Sequence, residues 1–441
     1  MHLPCMDIIQ IVKRVAELAE KYNCKMGCNR EACERACGGI KHMRQTPYYV
    51  FDTDEFAKRA AMIRAALDCK GGRRIPLCFS IKANPFLLHR LPEGLDHVEV
   101  CSPGELEICI ALGVKPESII YSGVMKEKCD IERAVSYGAG ILTCESIRHA
   151  ALISEVMLER MPEGAHEAEF AETKTHVILR LTSGNQFGMS LDDIEYIISH
   201  PDEFKGIMVI GIHYYSGTQK SLRKINKDLQ KIKSALTGLK EKYGFEPQLV
   251  EYGPGLCVEY FEEDWQEREK QALDEAAEVL REFAVEYPLG IEMGRFLAAS
   301  CGKYYTQVKD LKSTGDANYA ILDGGIHHLN YFGQRMAMQV PPISIYRAVG
   351  VEFTELPDTD YTLCGSLCTV ADVLVREVKL KKLELGDVLE FGHCGAYSVT
   401  EAPALFLSRQ LPAIYAYSKE YGYECLREHI PAAEINLAGK K

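Results

Sequence analysis

The sequence has no long apolar run and no excess of positive charge. None of its apolar stretches reaches the roughly 18 residues that a membrane-spanning helix needs. The start of the chain also lacks the basic and then apolar pattern of a secretory signal. Its 63 acidic and 51 basic residues give a net charge of −12, whereas nucleic-acid binding needs a basic surface. We therefore expect neither a membrane nor a nucleic acid as a partner.

The composition is that of a folded protein. Of the 441 residues, 47% are hydrophobic and 26% are charged, which excludes wholesale disorder. This length predicts two or three domains. The 17 cysteines are scattered through apolar runs, as buried thiols are. Because thiols persist in reducing compartments, we predict a cytoplasmic protein.

The first 46 residues differ from the rest of the chain. Apolar residues recur at helical spacing over residues 8–21, and four cysteines follow in a C-x3-C-x4-C-x3-C array. Four thiolates complete a tetrahedral shell, so the array predicts a zinc ion or an iron–sulfur cluster. The spacing fits neither zinc ribbons nor ferredoxins, and cysteines on one face of a short helix are the alternative. The candidate ligands are Cys24, Cys28, Cys33 and Cys37.

From residue 47 onward, short apolar runs alternate with amphipathic helical stretches. The predicted strands are 48–51, 75–81, 97–100, 119–121, 141–143, 177–181, 208–213, 249–252 and 289–292, and clear helix candidates are 54–67, 103–111 and 222–242. Strands that are apolar throughout, each followed by a helix, are typical of parallel sheets buried on both faces. Eight such strands between residues 75 and 292 favour a closed (β/α)8 barrel over a doubly wound sheet.

The pattern changes after residue 296. Segments 304–311, 319–322, 361–364, 374–379 and 388–391 alternate polar and apolar residues between Gly, Pro and Asp turns, which is typical of antiparallel sheet. The predicted organisation is a Cys-rich helical extension over 1–46, a barrel over 47–296 and a C-terminal antiparallel β domain over 297–441. The C-terminal β domain is expected to be joined by strand 47–52.

Candidate functional residues follow the ends of the barrel strands, where the catalytic groups of such barrels lie. Lys82 comes directly after strand 75–81. Partial burial at a cavity mouth would lower its pKa and make its amine a Schiff-base nucleophile. Taken alone, Lys82 also fits a surface lysine at a strand end.

Two further strand ends supply a ring and a phosphate-binding loop. His213 ends strand 208–213, and its flat ring suits stacking on an aromatic cofactor, while the hydroxyl of Ser216 suits a phosphate oxygen. Gly253 and Gly255 follow strand 249–252, and missing side chains allow the backbone to approach an anion closely. A single G-x-G is weak support for a phosphate site.

The last barrel strand ends in a carboxylate and a guanidinium, Glu292 and Arg295. Arg295 suits a phosphate, and Glu292 suits a protonated ring nitrogen, although a surface ion pair is the alternative for the two alone. A nucleophilic amine, a stacking ring, a phosphate cup and an acid together predict a site for pyridoxal 5'-phosphate (PLP). The combination is more specific than any of its members.

Residues from about 46 to 417 resemble the fold-type III PLP-dependent decarboxylases, the group of the diaminopimelate, ornithine and arginine decarboxylases, which share the fold of alanine racemase. The motifs that carry the resemblance stand in the family's order. They are FSIKANP, VEVCSPGEL, IGIHYYSGT, EYGPG, EMGRFL, LDGGIHH, CGSLCTVAD and GHCGAYS. The resemblance implies an amino-acid α-decarboxylase that releases carbon dioxide through an external aldimine and a quinonoid.

The resemblance also implies a role for each matching residue. Lys82 would form the internal aldimine with PLP, and His213 would stack on its ring. Glu292 would meet the ring nitrogen and keep it protonated, which favours decarboxylation because the ring then withdraws electrons strongly. Glu99 and Arg180 would make further polar contacts with the ring. The phosphate would be held by Ser216, Gly253, Gly255, Arg295 and Tyr397.

The C-terminal motifs imply an active site shared between subunits. Cys368 matches the cysteine that acts on the intermediate from the neighbouring subunit, which implies an obligate homodimer. Asp372 would contact the distal group of a small amino-acid substrate. Taken alone, Cys368 also fits an inert core thiol.

Two departures from the diaminopimelate decarboxylases concern the substrate. The chain has CTVAD at 368–372, where those enzymes have Cys-Glu-Ser before the aspartate, and HHLNYF at 327–332 in place of an Arg-Pro pair. Arg335, one helical turn away, is a candidate to replace the missing arginine, and Tyr331 is a second candidate substrate contact. His327 and His328 are either pocket donors or packed side chains.

The LCT, GGxHH and QFGM segments resemble a side branch of the family. That branch includes the butirosin-type enzyme, which decarboxylates a glutamyl group on an acyl carrier protein and needs no clamp for a terminal carboxylate. Two substrates therefore stay open, a free diamino acid and a carrier-linked or otherwise modified amino acid. A noncatalytic regulatory homologue of the antizyme-inhibitor kind is a third hypothesis, which the retained Lys82 and Glu292 disfavour.

Overall fold

The computed structural model describes residues 45–68, 72–160, 174–347 and 356–439. The predicted N-terminal helix and the four-cysteine array lie outside these residues. The described chain begins with strand β1 (Tyr48–Asp52) and helix α1 (Thr53–Leu67). No helix in these ranges is long and apolar enough to cross a membrane.

Eight parallel strands then form a closed barrel. They are β2 (Leu77–Ser80), β3 (His97–Val100), β4 (Ile119–Tyr121), β5 (Ile141–Cys144), β6 (Thr175–Arg180), β7 (Ile207–Tyr215), β8 (Leu249–Gly253) and β9 (Leu289–Met293). The barrel closes where β9 pairs with β2, with Leu77 opposite Ile291. The predicted barrel and its eight strands are therefore confirmed.

Helices follow most of the strands and begin at polar caps. They are α2 (Pro103–Ala111), α3 (Lys128–Tyr137), α4 (Ile147–Glu159), α5 (Leu191–Ser199), α6 (Leu222–Tyr243) and α7 (Trp265–Glu286). Ser102, Ser146 and Ser190 each accept a hydrogen bond from the backbone N–H three residues later, which satisfies a donor that the helix start leaves unpaired. α6 ends at Gly244 in the left-handed conformation.

The second part of the structure is a nine-stranded sheet. Its further strands are β10 (Gly302–Thr314), β11 (Ala317–Leu322), β12 (Ile343–Tyr346), β13 (Asp358–Cys364), β14 (Val373–Lys381), β15 (Val388–Phe391), β16 (Ala413–Ser418) and β17 (Gly422–Arg427). Short helices α8 (Arg295–Ala298), α9 (Ser398–Glu401) and α10 (Ala432–Asn436) lie between or after these elements.

The sheet is mostly, but not entirely, antiparallel. β1 lies between β10 and β16 and runs parallel to β16, and β11 runs parallel to β13. The predicted antiparallel β domain beside the barrel is therefore confirmed as a separate, mostly antiparallel sheet. Its two parallel pairings among the described strands are those of β1 with β16 and of β11 with β13. The bounds predicted for the three regions stay predictions.

Apolar side chains fill one layer of the barrel interior. They are Cys78, Ile120, Ile141, Ile178 and Ile210, packed with Met208 and Leu249. Buried polar side chains, among them Glu99, His213, Glu251 and Glu292, lie elsewhere on the barrel strands. Charged groups are rarely buried without partners, so this polar set marks the functional part of the barrel.

Three buried histidines make the folded chain sensitive to acid. Burial lowers the pKa of His149, His327 and His393 to about 4, below the value of about 6.5 in an unfolded chain. The unfolded chain thus binds protons that the folded chain does not. The free energy of unfolding has its full value above about pH 6.5 and decreases as the pH falls toward about 4, by up to about 3 kcal/mol for each ring.

We expect His327→Phe to remove part of this acid sensitivity. The His327 ring is fully buried, and neither of its nitrogens has a hydrogen-bond partner in the described part of the chain, so phenylalanine costs no hydrogen bond. Chemical denaturation of the cofactor-free protein from about pH 7 to about pH 4.5 should show a flatter pH dependence than in the wild type. The matched control is His176→Phe, at an exposed ring, which should keep the wild-type slope. If the free energy of unfolding of His327→Phe depends on pH as steeply as that of the wild type, His327 does not contribute to the acid sensitivity.

Candidate active site

Lys82 lies at the mouth of the barrel between two buried carboxylates. β2 ends at Ser80, and the chain turns through a short 3-10 helix, Ile81–Ala83, which carries Lys82. Its Nζ lies 2.9 Å from Oε2 of Glu99 and 3.9 Å from Oε1 of Glu292. The structure thus brings together three of the residues predicted from strand ends and motifs.

The charge of Lys82 differs from the expectation. Burial acts to lower its pKa, but Glu99, then Cys101 and Glu292, raise the pKa of Lys82 well above its usual value. The predicted lowering is therefore wrong, because these neighbours stabilise the ammonium by more than burial destabilises it. The amine is protonated in the cofactor-free site and must lose a proton before it can act as a nucleophile.

Glu292 is held ionised by hydrogen bonds from two sides. His213 Nε2 lies 3.0 Å from one carboxylate oxygen, and Ser80 Oγ donates to the other at 3.1 Å. Burial alone would raise the pKa of Glu292, but Lys82 and then His213 lower it well below its usual value. A buried carboxylate of this kind suits a cationic N–H donor.

The loop after β7 forms a polar cluster beside the barrel mouth. Ser216 Oγ donates to Asp228 at 2.6 Å, so its hydroxyl is already engaged. Lys220 Nζ donates to Asp228 at 2.8 Å and to the Gly253 carbonyl at 2.9 Å. Sequence reasoning missed Lys220, although its position four residues after Ser216 placed it in the same loop.

Gly255 lies where the backbone must come close. Its φ is +57°, and a Cβ there would lie 2.2 Å from the Gly217 carbonyl oxygen and 2.8 Å from Cε of Lys220. Any larger residue would therefore collide with the loop after β7. The predicted glycine requirement thus has a direct steric cause at this position.

A cavity of about 290 Å³ lies over Lys82. Among its lining residues are five predicted ones, Lys82, Gly255, Glu292, Arg295 and Tyr397. Two residues that sequence reasoning did not single out, Tyr215 and Thr218, line it as well.

Arg295 and Tyr397 meet at the wall of this cavity. The Arg295 guanidinium lies 4.4 Å from the centre of the Tyr397 ring and 4.6 Å from that of Phe332. Its Nη1 donates to Tyr260 at 2.9 Å. Tyr397 thus shares the wall with a cation that lies against aromatic rings.

The residues present fit a phosphorylated pyridine ring. Nε of Arg295 is buried and has no hydrogen-bond partner among the described residues, as a phosphate-binding donor would be without its ligand. The Gly255 loop leaves room for close backbone approach, and the ionised Glu292 suits a protonated ring nitrogen. The amine of Lys82 lies in the same cavity.

Arg180 is engaged on the opposite side of the barrel mouth. Its Nη1 donates to Glu145 at 2.5 Å, and its guanidinium lies 4.9 Å from the centre of the Phe187 ring. Glu145 also accepts from the Gly188 N–H at 3.0 Å. The family-implied ring contact of Arg180 stays a prediction.

The predicted substrate residues do not line the cavity in this single chain. Arg335 is exposed, and Tyr331 is buried with its hydroxyl donating to the Gly392 carbonyl at 2.6 Å. Asp372 is also buried, and its two carboxylate oxygens accept from the N–H groups of Ile326 at 2.8 Å and Leu367 at 2.6 Å. These bonds join the loop that carries Asp372 to the segment that follows β11.

The two neighbouring histidines are packed into the second sheet. His328 lies 3.0 Å from the Tyr304 hydroxyl through Nδ1 and 3.0 Å from the Gln410 carbonyl through Nε2. The ring of His327 lies 3.8 Å from that of His328. The packed alternative therefore holds for His328, whose ring nitrogens are both engaged.

Comparison with known proteins identifies the barrel. The family model described as "Pyridoxal-dependent decarboxylase, pyridoxal binding domain" matches residues 53–299. The chain is 27% identical over 415 residues to the L-glutamyl-[BtrI acyl-carrier protein] decarboxylase of Niallia circulans, covering 89% of this chain and 93% of that protein. It is 25% identical over 375 residues to the diaminopimelate decarboxylase of Aquifex aeolicus, covering 81% and 84%.

A third relative and a solved structure complete the comparison. The chain is 29% identical over 352 residues to the 2-[(L-alanin-3-ylcarbamoyl)methyl]-2-hydroxybutanedioate decarboxylase of Staphylococcus aureus, covering 76% of this chain and 86% of that protein. The crystal structure of diaminopimelate decarboxylase from Helicobacter pylori complexed with L-lysine superposes with a TM-score of 0.72 at 21% identity, covering 89% and 96%. At this identity the structural likeness supports the fold alone.

We expect Gly255→Ala to weaken PLP binding by about tenfold or more, because its Cβ would collide with the Gly217 carbonyl. Titration of the cofactor-free protein with PLP, followed by absorbance, measures the dissociation constant. The matched control is Gly244→Ala, which has a similar φ of +65° but nothing within 4 Å of the added Cβ. Equal affinity in the two variants would show that crowding at Gly255 does not matter for the cofactor.

Proposed function

The chain belongs to the pyridoxal-dependent decarboxylases, and we propose that it acts on an amino acid whose distal end is linked to a carrier or otherwise modified. It is a PLP-dependent carboxy-lyase. The observation that carries the substrate proposal is the engagement of Asp372 by two backbone amides. A carboxylate so occupied is poorly placed to bind a free distal amino group.

The other candidate distal contacts support the same substrate class. Arg335 is exposed and lies outside the residues that line the cavity, and the Tyr331 hydroxyl is engaged by a backbone carbonyl. Bidentate recognition of a free carboxylate requires a guanidinium aimed at the site. A substrate whose distal end is already joined to another group needs no such clamp.

The residues of this chain divide the chemistry among them. PLP, when bound, supplies an electron sink for the electron pair left on the α-carbon when carbon dioxide departs. Lys82 would hold the cofactor through its amine, and Glu99, 2.9 Å away, would accept the proton that the ammonium must lose first. Glu292, whose carboxylate is fixed by His213 and Ser80, would hold the proton on the ring nitrogen.

The remaining groups bind and orient the cofactor. His213 would lie against the ring, and Glu99 and Arg180 would supply polar contacts around it. The phosphate would be held by Gly253, Gly255, Ser216, Arg295 and Tyr397, with Lys220 fixing the Ser216 loop through Asp228. The Gly255 carbonyl accepts from the Lys220 N–H at 2.9 Å, which keeps the two loops together.

We also propose a homodimer in which each subunit completes the active site of the other. Cys368 is exposed and does not belong to the residues that line the cavity over Lys82 in its own chain. Val370 in the same loop is 98% exposed. An apolar side chain so exposed, two residues from the thiol of Cys368, fits a surface that a second copy covers.

A cytoplasmic location agrees with the thiols. Cys78, Cys109, Cys144, Cys301 and Cys394 are buried as thiols within the described ranges. The role proposed for Cys368 also needs a reduced side chain. Both features fit a reducing compartment.

A free diamino acid is the second candidate substrate. The Aquifex relative is a diaminopimelate decarboxylase that aligns over 81% of this chain. The departures at 327–332 and 368–372 weaken this candidate, because they alter the stretches that contact the distal end of the substrate.

Carbon dioxide release across a substrate panel distinguishes the two candidates. We expect release from amide-linked or carrier-linked glutamyl substrates at rates about a hundredfold or more above those with diaminopimelate, lysine, ornithine or arginine. Lys82→Ala should release none from any of them. Rapid turnover of a free diamino acid would replace the proposed substrate by the second candidate.

Subunit mixing tests the shared active site. Lys82→Ala and Cys368→Ala should each lose turnover, and only Cys368→Ala should keep the absorbance of the lysine-bound cofactor. In an equal mixture that exchanges subunits, half of the dimers carry one intact site, so about a quarter of the wild-type activity should return. Cys364→Ala is the control and should keep full turnover. A mixture that stays inactive after proven exchange would place the thiol in the site of its own subunit.

A further inference from the structure

Glu251 is a buried acid that begins the EYGPG motif but has no role in the proposed chemistry. It lies on β8, is 2% exposed, and pairs in register with His213 on β7 and with Gly290 on β9. Neither of its carboxylate oxygens has an N–H or O–H partner in the described part of the chain. The thiol of Cys78 on β2, a weak donor, faces it.

The charges around Glu251 oppose its ionisation. A carboxylate without a partner in the interior is costly, and Glu292 on β9 and Glu99 on β3 add like charge. Burial first, then Glu292 and Glu99, raise the pKa of Glu251 well above its usual value, although Cys78 and Lys82 act in the opposite direction. Since the pKa of Glu292 is lowered, the two acids divide into one neutral and one ionised group.

One ring nitrogen of His213 lacks a hydrogen-bond partner and could accept the O–H of a neutral Glu251. Its Nε2 faces Glu292, while its Nδ1 is buried without a hydrogen-bond partner among the described residues. If Nε2–H donates to the ionised Glu292, Nδ1 carries a lone pair and needs a donor. One oxygen of Glu251, one of Glu292 and one ring nitrogen of His213 all lie within 4.8 Å of one another.

We propose that Glu251 is a positioning residue that stays protonated and donates its O–H to Nδ1 of His213. The hydrogen bond fixes the His213 tautomer with the proton on Nε2, and Nε2–H then fixes the Glu292 carboxylate. Glu251 therefore acts on Glu292 through His213. It sets the orientation and the charge of the carboxylate that would meet the ring nitrogen of the cofactor.

This proposal rests on the proposed role of Glu292 and not on the choice of substrate. Its first readout needs neither cofactor nor turnover, so it is tested even if the substrate proposal fails. Conversely, if Glu251 does not position His213, the results expected from the substrate panel and from subunit mixing stay the same.

Infrared spectroscopy of the cofactor-free protein tests the protonation. At neutral pH the wild type should show the carbonyl stretch of a buried protonated carboxylic acid, and Glu251→Gln should lose it. The matched control is Glu269→Gln, because Glu269 is equally buried at 2% exposure but forms an ion pair with Arg59. This control should keep the band. A wild type without the band, or a Glu251→Gln protein that keeps it, would overturn the proposal in favour of an ionised Glu251 paired with an imidazolium.

Ring nitrogen NMR of His213 tests the positioning. The Nε2–H tautomer should persist in Glu251→Gln, whose amide can still donate to Nδ1, and should give way to a mixture in Glu251→Leu. Turnover should follow the tautomer, falling about ten- to a hundredfold in Glu251→Leu and recovering with glutamine. A pure Nε2–H tautomer in Glu251→Leu would contradict the role. If the leucine variant does not fold, the infrared comparison of Glu251→Gln with Glu269→Gln decides alone.

Discussion

The site depends on one amine held between two buried carboxylates. Lys82 Nζ lies 2.9 Å from Glu99 and 3.9 Å from Glu292, and His213 lies 3.0 Å from the second of these acids. The arrangement stabilises charges that the barrel interior would otherwise exclude. It also explains why the amine is protonated until the cofactor arrives, with an acceptor for its proton already in place.

The second sheet contributes to the geometry of that amine. The Tyr397 N–H donates to the Ala83 carbonyl at 2.7 Å, and Asn84 Nδ2 donates to the Gly395 carbonyl at 2.8 Å. Both bonds join the turn that carries Lys82 to the loop before α9. The lysine is therefore fixed by residues more than 300 positions away, and the barrel alone does not complete the site.

Most of the proposed cofactor contacts and the proposed distal substrate contacts lie in different parts of the chain. Most of the groups that would bind the cofactor lie on barrel strands or directly after them, and Tyr397 is the one from the C-terminal part of the chain. The loops that would meet the distal end of a substrate belong to the second sheet, where Asp372 is engaged and Cys368 is exposed. Loops can change without disturbing strands, which fits a family whose members share a cofactor and differ in substrate.

The sequence by itself determined the barrel and the residues at its strand ends, because strand periodicity and helix caps are local. It correctly placed Lys82, Glu292 and Arg295 around one cavity. Only the tertiary structure decided the charge of Lys82, the engagement of Asp372 and the isolation of Glu251. Each of these three properties depends on which side chains from distant strands face one another. Barrel closure and strand register decide those contacts, and no local sequence pattern encodes them.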